Sequence, residues 1–122
     1  MPKYKGDLTL SCSVTNLDKS IAWFKDMLDF DLAFRVDEAG WAELTCPTRD
    51  VTTGLGVNEN VDGRGGTTPV FGVTDIVAAR SELESKGARF DGETEEVPGM
   101  VKLATFFDPD GNTYMFAESL VE

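Results

Sequence analysis

The chain has 122 residues, none of which is histidine, and two cysteines. Without histidine there is no ordinary Ser-His or Cys-His catalytic pair and no imidazole ligand for a metal. Cys12 and Cys46 have no CxxC spacing and lie in apolar strand patterns. We therefore expect two buried thiols rather than a disulfide or a metal-binding pair.

Long apolar segments are also missing. No run approaches the ~20 apolar residues that span a bilayer. The N-terminal residues MPKYKGD lack the apolar segment of a signal peptide. These absences predict a cytoplasmic protein with no membrane partner.

Basic residues are few: 11 Lys and Arg stand against 22 Asp and Glu, which gives a net charge of −11. Such a field repels nucleic-acid phosphates and anionic lipids, so neither is an expected partner. It attracts cationic ligands, although solubility alone also accounts for an acidic surface.

A short motif occurs twice and organises the chain. Val14-Thr15-Asn16-Leu17 returns as Val73-Thr74-Asp75-Ile76, and in each half a strand-like run leads into the motif. Helical spacing follows each copy, and Thr15 or Asn16, and Thr74 or Asp75, offer a side-chain oxygen to cap the helix. We interpret the two copies as two strand-to-helix units, one in each half of the chain.

The remaining pattern predicts one domain over residues 1–122, built from a first module (6–58), a linker (59–68) and a second module (69–119). In the first module a helix begins at Leu17, and strands are predicted at 31–37, 41–46 and 51–57. In the second, a short strand at 70–73 precedes a helix from about 75 to 86, which Gly87 ends. Residues 88–91, 100–107 and 113–117 are predicted strands, 92–99 an acidic loop, and Asp108-Pro109-Asp110-Gly111-Asn112 a tight hairpin loop.

Several of these segments together resemble the vicinal oxygen chelate superfamily, which includes glyoxalase I, the bleomycin-resistance proteins, fosfomycin-resistance enzymes and extradiol dioxygenases. The similarity extends from about Thr9 to Ala117. It is carried by Asn16 to Phe24, Met27 to Phe30, Val73 to Ile76 and Asp108 to Asn112. One departure is Asp29, where the family usually has a glycine at the helix end. The resemblance implies an α+β fold of two βαβββ modules, with curved mixed sheets around a cleft and the helices outside, and it suggests a homodimer.

Metal-dependent members of this superfamily place histidine or glutamate at four cleft-facing positions. The matching positions here are Thr9, Thr68, Met115 and, uncertain by one residue, Leu55. None is a usual ligand of a divalent metal. We therefore expect no metal and no other cofactor, and the metal-dependent activities of the superfamily do not carry over to this chain.

Strand alternation then predicts which side chains line the cleft. Thr9, Ser11 and Ser13 alternate with apolar neighbours, as do Thr113 and Met115, and Trp41 shares a face with Glu43. With Thr68 from the family position, these eight residues form the predicted ligand site. Trp41 either stacks on a ligand or packs at a module or subunit contact, and Glu43 is either a base or a solvated strand residue. Trp23 lies beside the apolar stripe of its helix, which predicts a core or interface position.

These features favour a metal-independent protein that binds a small organic molecule, as the drug-binding members of the superfamily do. A planar, partly cationic ligand suits an apolar and hydroxyl-lined cleft with an aromatic wall. Two other functions stay open. One is a cofactor-free isomerase, cyclase or hydrolase with Glu43 as general base. The other is an accessory domain whose cleft is filled by its own side chains.

Overall fold

The computed structural model describes residues 1–47, 51–59, 66–107, 109 and 111–121. In chain order the elements are β1 (Tyr4–Val14), α1 (Leu17–Leu28), β2 (Asp31–Val36), a 3₁₀ turn (Asp37–Ala39), β3 (Trp41–Thr45), β4 (Val51–Val57), β5 (Thr67–Val73), α2 (Ile76–Ser85), β6 (Arg89–Phe90), β7 (Glu95–Val97), β8 (Val101–Phe107) and β9 (Thr113–Ser119). This content confirms the predicted α+β class. In the described part of the chain, neither helix has the length and apolar character needed to cross a bilayer.

The chain divides into two compact units. Unit 2 is Thr9–Thr68, and unit 1 combines Met1–Leu8 with Pro69–Glu122. The predicted linker includes residues 60–65, which lie outside the described residues, so the predicted module boundaries stay a prediction. In the predicted hairpin loop, Asp108 and Asp110 also lie outside them.

In unit 2, α1 packs on one face of a sheet with the strand order β2-β3-β4-β1. The core is formed by the fully buried Ala42, Leu44 and Leu55 together with Leu17 of the helix. Partly buried side chains from β1, α1 and the chain after it complete this core: Cys12, Val14, Ile21, Phe24 and Phe30. Because Cys12 and Val14 face the helix, the intervening residues of β1 point to the other face of the sheet.

In unit 1, β5 pairs in parallel with β9, and β9 pairs antiparallel with β8. The first part of β1 lies beside β5, where the N–H of Thr74 donates to the carbonyl of Lys3. Helix α2 covers a core of Val73, Ile76, Ala79, Ala104 and Phe116.

One short strand was not predicted. Residues 95–97 belong to the expected acidic loop, but they form β7, which pairs with β8 from Glu95 opposite Leu103 to Val97 opposite Val101. Two adjacent glutamates have low strand propensity, and the pairing comes from the neighbouring strand rather than from the local sequence. The prediction of a loop over the whole of 92–99 was therefore wrong at these three positions.

Both helix starts follow the capping chemistry expected from the sequence. Asn16, rather than Thr15, accepts a hydrogen bond from the N–H of Lys19 at 3.0 Å, and Asp75, rather than Thr74, accepts one from Ala78 at 3.1 Å. Asp29 ends α1 in the left-handed conformation, with φ 61°, where the family usually has glycine. Among the residues that the structure describes, Asp29 is the one non-glycine residue with a positive φ.

Candidate functional site

The far face of unit 2 is the sheet face that points away from its core, and it carries five of the eight predicted site residues. Ala42 and Leu44 of β3 are fully buried against the helix. Trp41 and Glu43 alternate with them and so lie on the far face, both half-buried. The predicted common face of Trp41 and Glu43 is confirmed.

The indole of Trp41 lies over the neighbouring strand β4, where two glycines leave room for it. Trp41 pairs with Gly56, and Glu43 pairs with Gly54. A Cβ added at Gly54 would lie 2.2 Å from Cη2 and 2.3 Å from Cζ2 of the indole, whereas one at Gly56 would lie 3.6 Å from Cε3 and Cζ3. The six-membered ring therefore spans both glycines and contacts the β4 backbone at Gly54.

Strand β1 adds hydroxyl groups to the same face. The Oγ1 atoms of Thr9 and Thr52 are 3.0 Å apart and share a hydrogen bond. The methyl group of Thr9 would lie 3.2 Å from a Cβ at Gly54, which places Thr9 beside the indole ring. Ser11 and Ser13 follow on the same face because they alternate with Cys12 and Val14.

An aromatic side chain that sequence reasoning missed completes this face. Leu32 pairs with Leu44 on the core side, but the register then shifts by one residue at Ala33, and Phe34 pairs with Glu43 on the far face. Strict alternation places Leu32 and Phe34 on one face, and a β-bulge separates them. Phe34 is 46% exposed beside Glu43. No local feature of the sequence marks this bulge.

The bulged strand is held by Arg35. Its guanidinium donates to Asp18 of α1 at 2.8 Å and to Asp37 at 2.9 Å. The hydrogen bond to Asp18, followed by that to Asp37, raises the pKa of Arg35 above its ordinary value. The ion pairs connect β2 to the helix, whereas the direction of Phe34 follows from its pairing with Glu43.

The other predicted site residues lie elsewhere. Thr68 is half-buried on β5 within unit 2. Thr113 and Met115 belong to β9 in unit 1, where Thr113 pairs with Phe107 and Met115 pairs with Thr105. The structure therefore brings together Thr9, Ser11, Ser13, Trp41 and Glu43 as one surface, to which it adds Phe34.

Leu55, which was matched to a cleft-facing family position with an uncertainty of one residue, does not itself face the cleft side. Leu55 pairs with Ala42 and is fully buried in the core. Gly54 and Gly56, its neighbours on β4, are the residues that face the other way. The segment before β4 breaks the strand pattern, so the sequence alone does not define the register of this strand.

The residues at the four superfamily metal positions do not suit a metal ion. The family positions now read Thr9, Gly54 or Gly56, Thr68 and Met115, and none of these side chains is a usual ligand of a divalent metal. Across the residues that the structure describes, no three His, Cys, Asp or Glu side chains are grouped closely enough to bind one. We therefore derive no chemistry that depends on the superfamily's metal.

The two cysteines and Trp23 are less buried than the sequence predicted. Cys12 and Cys46 are not joined by a disulfide and are half-buried rather than buried, and the thiol of Cys46 donates to the carbonyl of Val51 at 3.0 Å. Trp23 is 51% exposed, so the core position considered for it was wrong and the interface remains a prediction. Its ring contacts Phe24 edge-on at 5.2 Å.

Comparison with solved structures shows the same fold in other proteins. Methylmalonyl-CoA epimerase from Mycobacterium tuberculosis aligns over 98% of this chain and 91% of its own, with a TM-score of 0.75 and 23% identity. A structure described as NAD-dependent benzaldehyde dehydrogenase from Legionella pneumophila aligns over 92% and 98%, with a TM-score of 0.75 and 16% identity. A glyoxalase/bleomycin resistance protein/dioxygenase superfamily member from Vibrio splendidus 12B01 aligns over 92% and 97%, with a TM-score of 0.65 and 16% identity.

These identities are low, so the structures establish the fold and not a function. The comparison with curated proteins gave no significant match. A family model matches residues 9–116, nearly the whole chain. This match and the shared fold confirm the predicted fold class. The chain belongs to the Glyoxalase/Bleomycin resistance protein/Dioxygenase superfamily.

Proposed function

We propose that this protein binds a small aromatic molecule without a metal ion, and that the ligand lies on the far face of unit 2. The observation that carries the proposal is the placement of Trp41 across Gly54 and Gly56, with Phe34 and Glu43 beside it. Aromatic rings supply a large contact area to a planar ligand, and the carboxylate favours one that carries a positive charge.

Close packing explains why Trp41 can act as a platform. One side of its six-membered ring contacts the β4 backbone, so the ring is positioned before a ligand arrives. A preorganised side chain loses little conformational freedom on binding, and more of the contact energy appears as affinity. The hydroxyl groups of Thr9 and Ser11 border the ring and offer hydrogen bonds to polar substituents of the ligand.

This function agrees with the drug-sequestering role for which the bleomycin-resistance proteins of the superfamily are named. The ligand screen therefore begins with glycopeptide antibiotics, DNA-intercalating drugs and polyketide-like aromatic compounds, read out as a rise in melting temperature. Cytoplasmic location and a homodimer remain predictions from the sequence, and light scattering checks the second.

The decisive test uses the two tryptophans as a matched pair. In Trp23→Phe, Trp41 is the remaining indole, and we expect each ligand from the screen to change its fluorescence with unchanged affinity. In Trp41→Ala, affinity should fall by about 1–3 kcal/mol, and in Phe34→Ala by a smaller amount. A ligand that binds Trp41→Ala as tightly as the unmodified protein would show that the far face of unit 2 is not its site.

A second candidate function is metal-free proton transfer with Glu43 as the base. Its support is that Glu43 is half-buried opposite Phe34 and two residues from Trp41 on the same face, so a substrate bound on these rings would lie near its carboxylate. The epimerase among the structural relatives belongs to a reaction class that inverts a stereocentre. In this alternative the Glu43 carboxylate takes a proton from a substrate carbon, and a water molecule on the opposite face of the resulting planar carbanion donates a proton to it. The hydroxide that is left is neutralised by the proton held on Glu43.

Glu43→Gln separates the two functions because it keeps the shape and removes the base. A binder retains most of its affinity for a neutral ligand in this variant. An enzyme retains binding, loses turnover and loses the pH dependence of its rate. Exchange of substrate hydrogen for solvent deuterium, measured by NMR, detects the proton transfer directly.

A further inference from the structure

Helix α1 has an outer face, defined by Lys19, Trp23, Asp26 and Met27, whose residues are not part of the core of unit 2. Trp23 is 51% exposed and Met27 is 64% exposed. These two residues are four positions apart, so they are neighbours on the same side of the helix. Large apolar side chains that are exposed together, rather than singly, mark an interaction surface.

The internal repeat shows that the fold does not require apolar residues at these positions. When the two copies of the repeated motif are aligned, Glu82 takes the place of Trp23 and Lys86 takes the place of Met27. Charged residues are usual on the side of a helix that faces water. The exposed apolar pair is therefore a property of α1 and not of the architecture that the two halves share.

Two opposite charges accompany the apolar pair on the outer face. Lys19 lies four residues before Trp23, and Asp26 lies three residues after it. Both charged side chains are exposed, and neither has an ion-pair partner in the part of the chain that the structure describes. Along the helix axis they are separated by about 10 Å, because each residue advances the helix by about 1.5 Å. The outer face thus carries a cation at one end and an anion at the other.

Such an arrangement is complementary to itself when it is reversed. If two copies of α1 lie antiparallel around a two-fold axis near Trp23, Lys19 of each copy faces Asp26 of the other. The same axis brings the two indoles together, with Met27 beside them. We propose that the outer face of α1 binds the outer face of a second copy of this chain, with the indoles at the centre and two ion pairs along one side.

Other kinds of partner suit this face less well. A basic partner is attracted by the net charge of −11 but meets Lys19 on the outer face, and an acidic partner is repelled by the chain as a whole. A second copy satisfies Lys19 and Asp26 together. The outer face lies on the helix side of the sheet, away from the far face of unit 2, so the inference does not rest on the proposed ligand-binding function.

The size of α1 sets the expected strength of the dimer. The helix has 12 residues, which corresponds to a length of about 18 Å. One pair of such helices buries less than the roughly 800 Å² per partner of a standard stable interface. We therefore expect a reversible dimer with a Kd of about 10–100 µM. Sedimentation equilibrium between about 1 µM and 1 mM covers this range.

Two charge reversals test the arrangement. Lys19→Glu gives the outer face two negative charges and Asp26→Lys gives it two positive charges, so like charges meet when either variant pairs with itself. We expect each variant alone to dimerise about tenfold more weakly than the unmodified protein. In an equimolar mixture each cation of one variant faces an anion of the other. The mixture should therefore dimerise about as strongly as the unmodified protein.

Matched controls make the same charge changes elsewhere. Lys86 and Asp91 are exposed residues of unit 1. Lys86→Glu and Asp91→Lys, alone or mixed, should leave the Kd of the dimer within about twofold of its unmodified value. Equal weakening by these controls would overturn the inference, because it would reflect net charge alone. It would also be overturned if the mixture of Lys19→Glu and Asp26→Lys dimerised no better than either variant by itself.

Truncation of the indole tests the apolar part of the interface. We expect Trp23→Ala to weaken the dimer by about thirtyfold, because each dimer loses both indoles. Val77→Ala is the control, since Val77 is 70% exposed on α2; it should change the Kd by less than about twofold. Circular dichroism checks that both variants keep their helices. An unchanged Kd in Trp23→Ala, or an unmodified protein that is monomeric at about 1 mM, would overturn the inference.

Discussion

Trp41 occupies the space that any side chain at Gly54 would need, because a Cβ at position 54 would lie 2.2 Å from the indole ring. The backbone at Gly54 and the indole cannot easily separate, because Gly54 is buried in β4 and Trp41 is the first residue of β3. The glycine thus determines where the indole lies.

Substitution of Gly54 should displace the indole without removing it. We expect Gly54→Ala to shift the Trp41 fluorescence maximum, to cost about 1–3 kcal/mol of stability and to weaken aromatic ligands about as much as Trp41→Ala. Gly56→Ala is the control, because its Cβ would make an ordinary contact at 3.6 Å. Equal fluorescence and affinity in the two variants would contradict the platform role of Trp41. Both variants are compared in the Trp23→Phe background.

Asp29 holds a left-handed conformation that glycine adopts with less strain. We expect Asp29→Gly to raise the free energy of unfolding by about 0.5–1 kcal/mol in urea titrations. Asp29→Asn is the control, because it removes the ion pair with Lys25 at 2.9 Å and keeps a side chain. Exposed ion pairs contribute little, so Asp29→Asn should change stability less. A less stable Asp29→Gly protein would show that the contacts of Asp29 outweigh its strain.

Lys25 allows a prediction about pH. The hydrogen bond to Asp31, and then that to Asp29, raises the pKa of Lys25 above its ordinary value. A group whose pKa is raised on folding contributes stability below its unfolded pKa and loses it as pH rises through the folded value. The stability difference between the unmodified protein and Lys25→Met should therefore be constant from about pH 7 to 9 and decrease only in stronger alkali. A difference that changed across the neutral range would exclude this origin.

The residues at the superfamily's metal-ligand positions predict how the protein responds to metal removal. Thr9, Thr68, Met115 and the glycines of β4 offer no usual ligand set, so we expect EDTA to leave the melting temperature unchanged within about 1 °C. Elemental analysis of the purified protein should find no stoichiometric divalent ion. About one ion per chain would show that residues other than these bind a metal.

Local chemistry made the helices and their starts predictable from the sequence. The spacing of Leu17, Ile21 and Phe24 defines the buried side of α1, and the side chains of Asn16 and Asp75 cap the helices within three residues. These features depend on neighbours along the chain, so no knowledge of the tertiary structure is needed to find them.

Features that depend on strand pairing were not predictable in the same way. The bulge that turns Phe34 to the far face exists only relative to β3, and the pairing of Glu95 to Val97 depends on β8. The contact between Asp7 and Gly72 joins residues that are distant in sequence. Alternation correctly placed Trp41 with Glu43, but Leu55 required the register of β4, which the preceding segment does not define.

Unit 1 is built from two separate segments of the chain, and this affects the order in which the two units can fold. Its first eight residues, Met1–Leu8, pack with Pro69–Glu122, and the Tyr4 ring contacts Phe71 and Phe116. Unit 2 is complete once residue 68 has left the ribosome, whereas the N-terminal segment waits for the last strand, β9. Folding from the N-terminus onward is the usual order during translation. Residues 1–8 are therefore synthesised before unit 2 but reach their native partners only after it is complete.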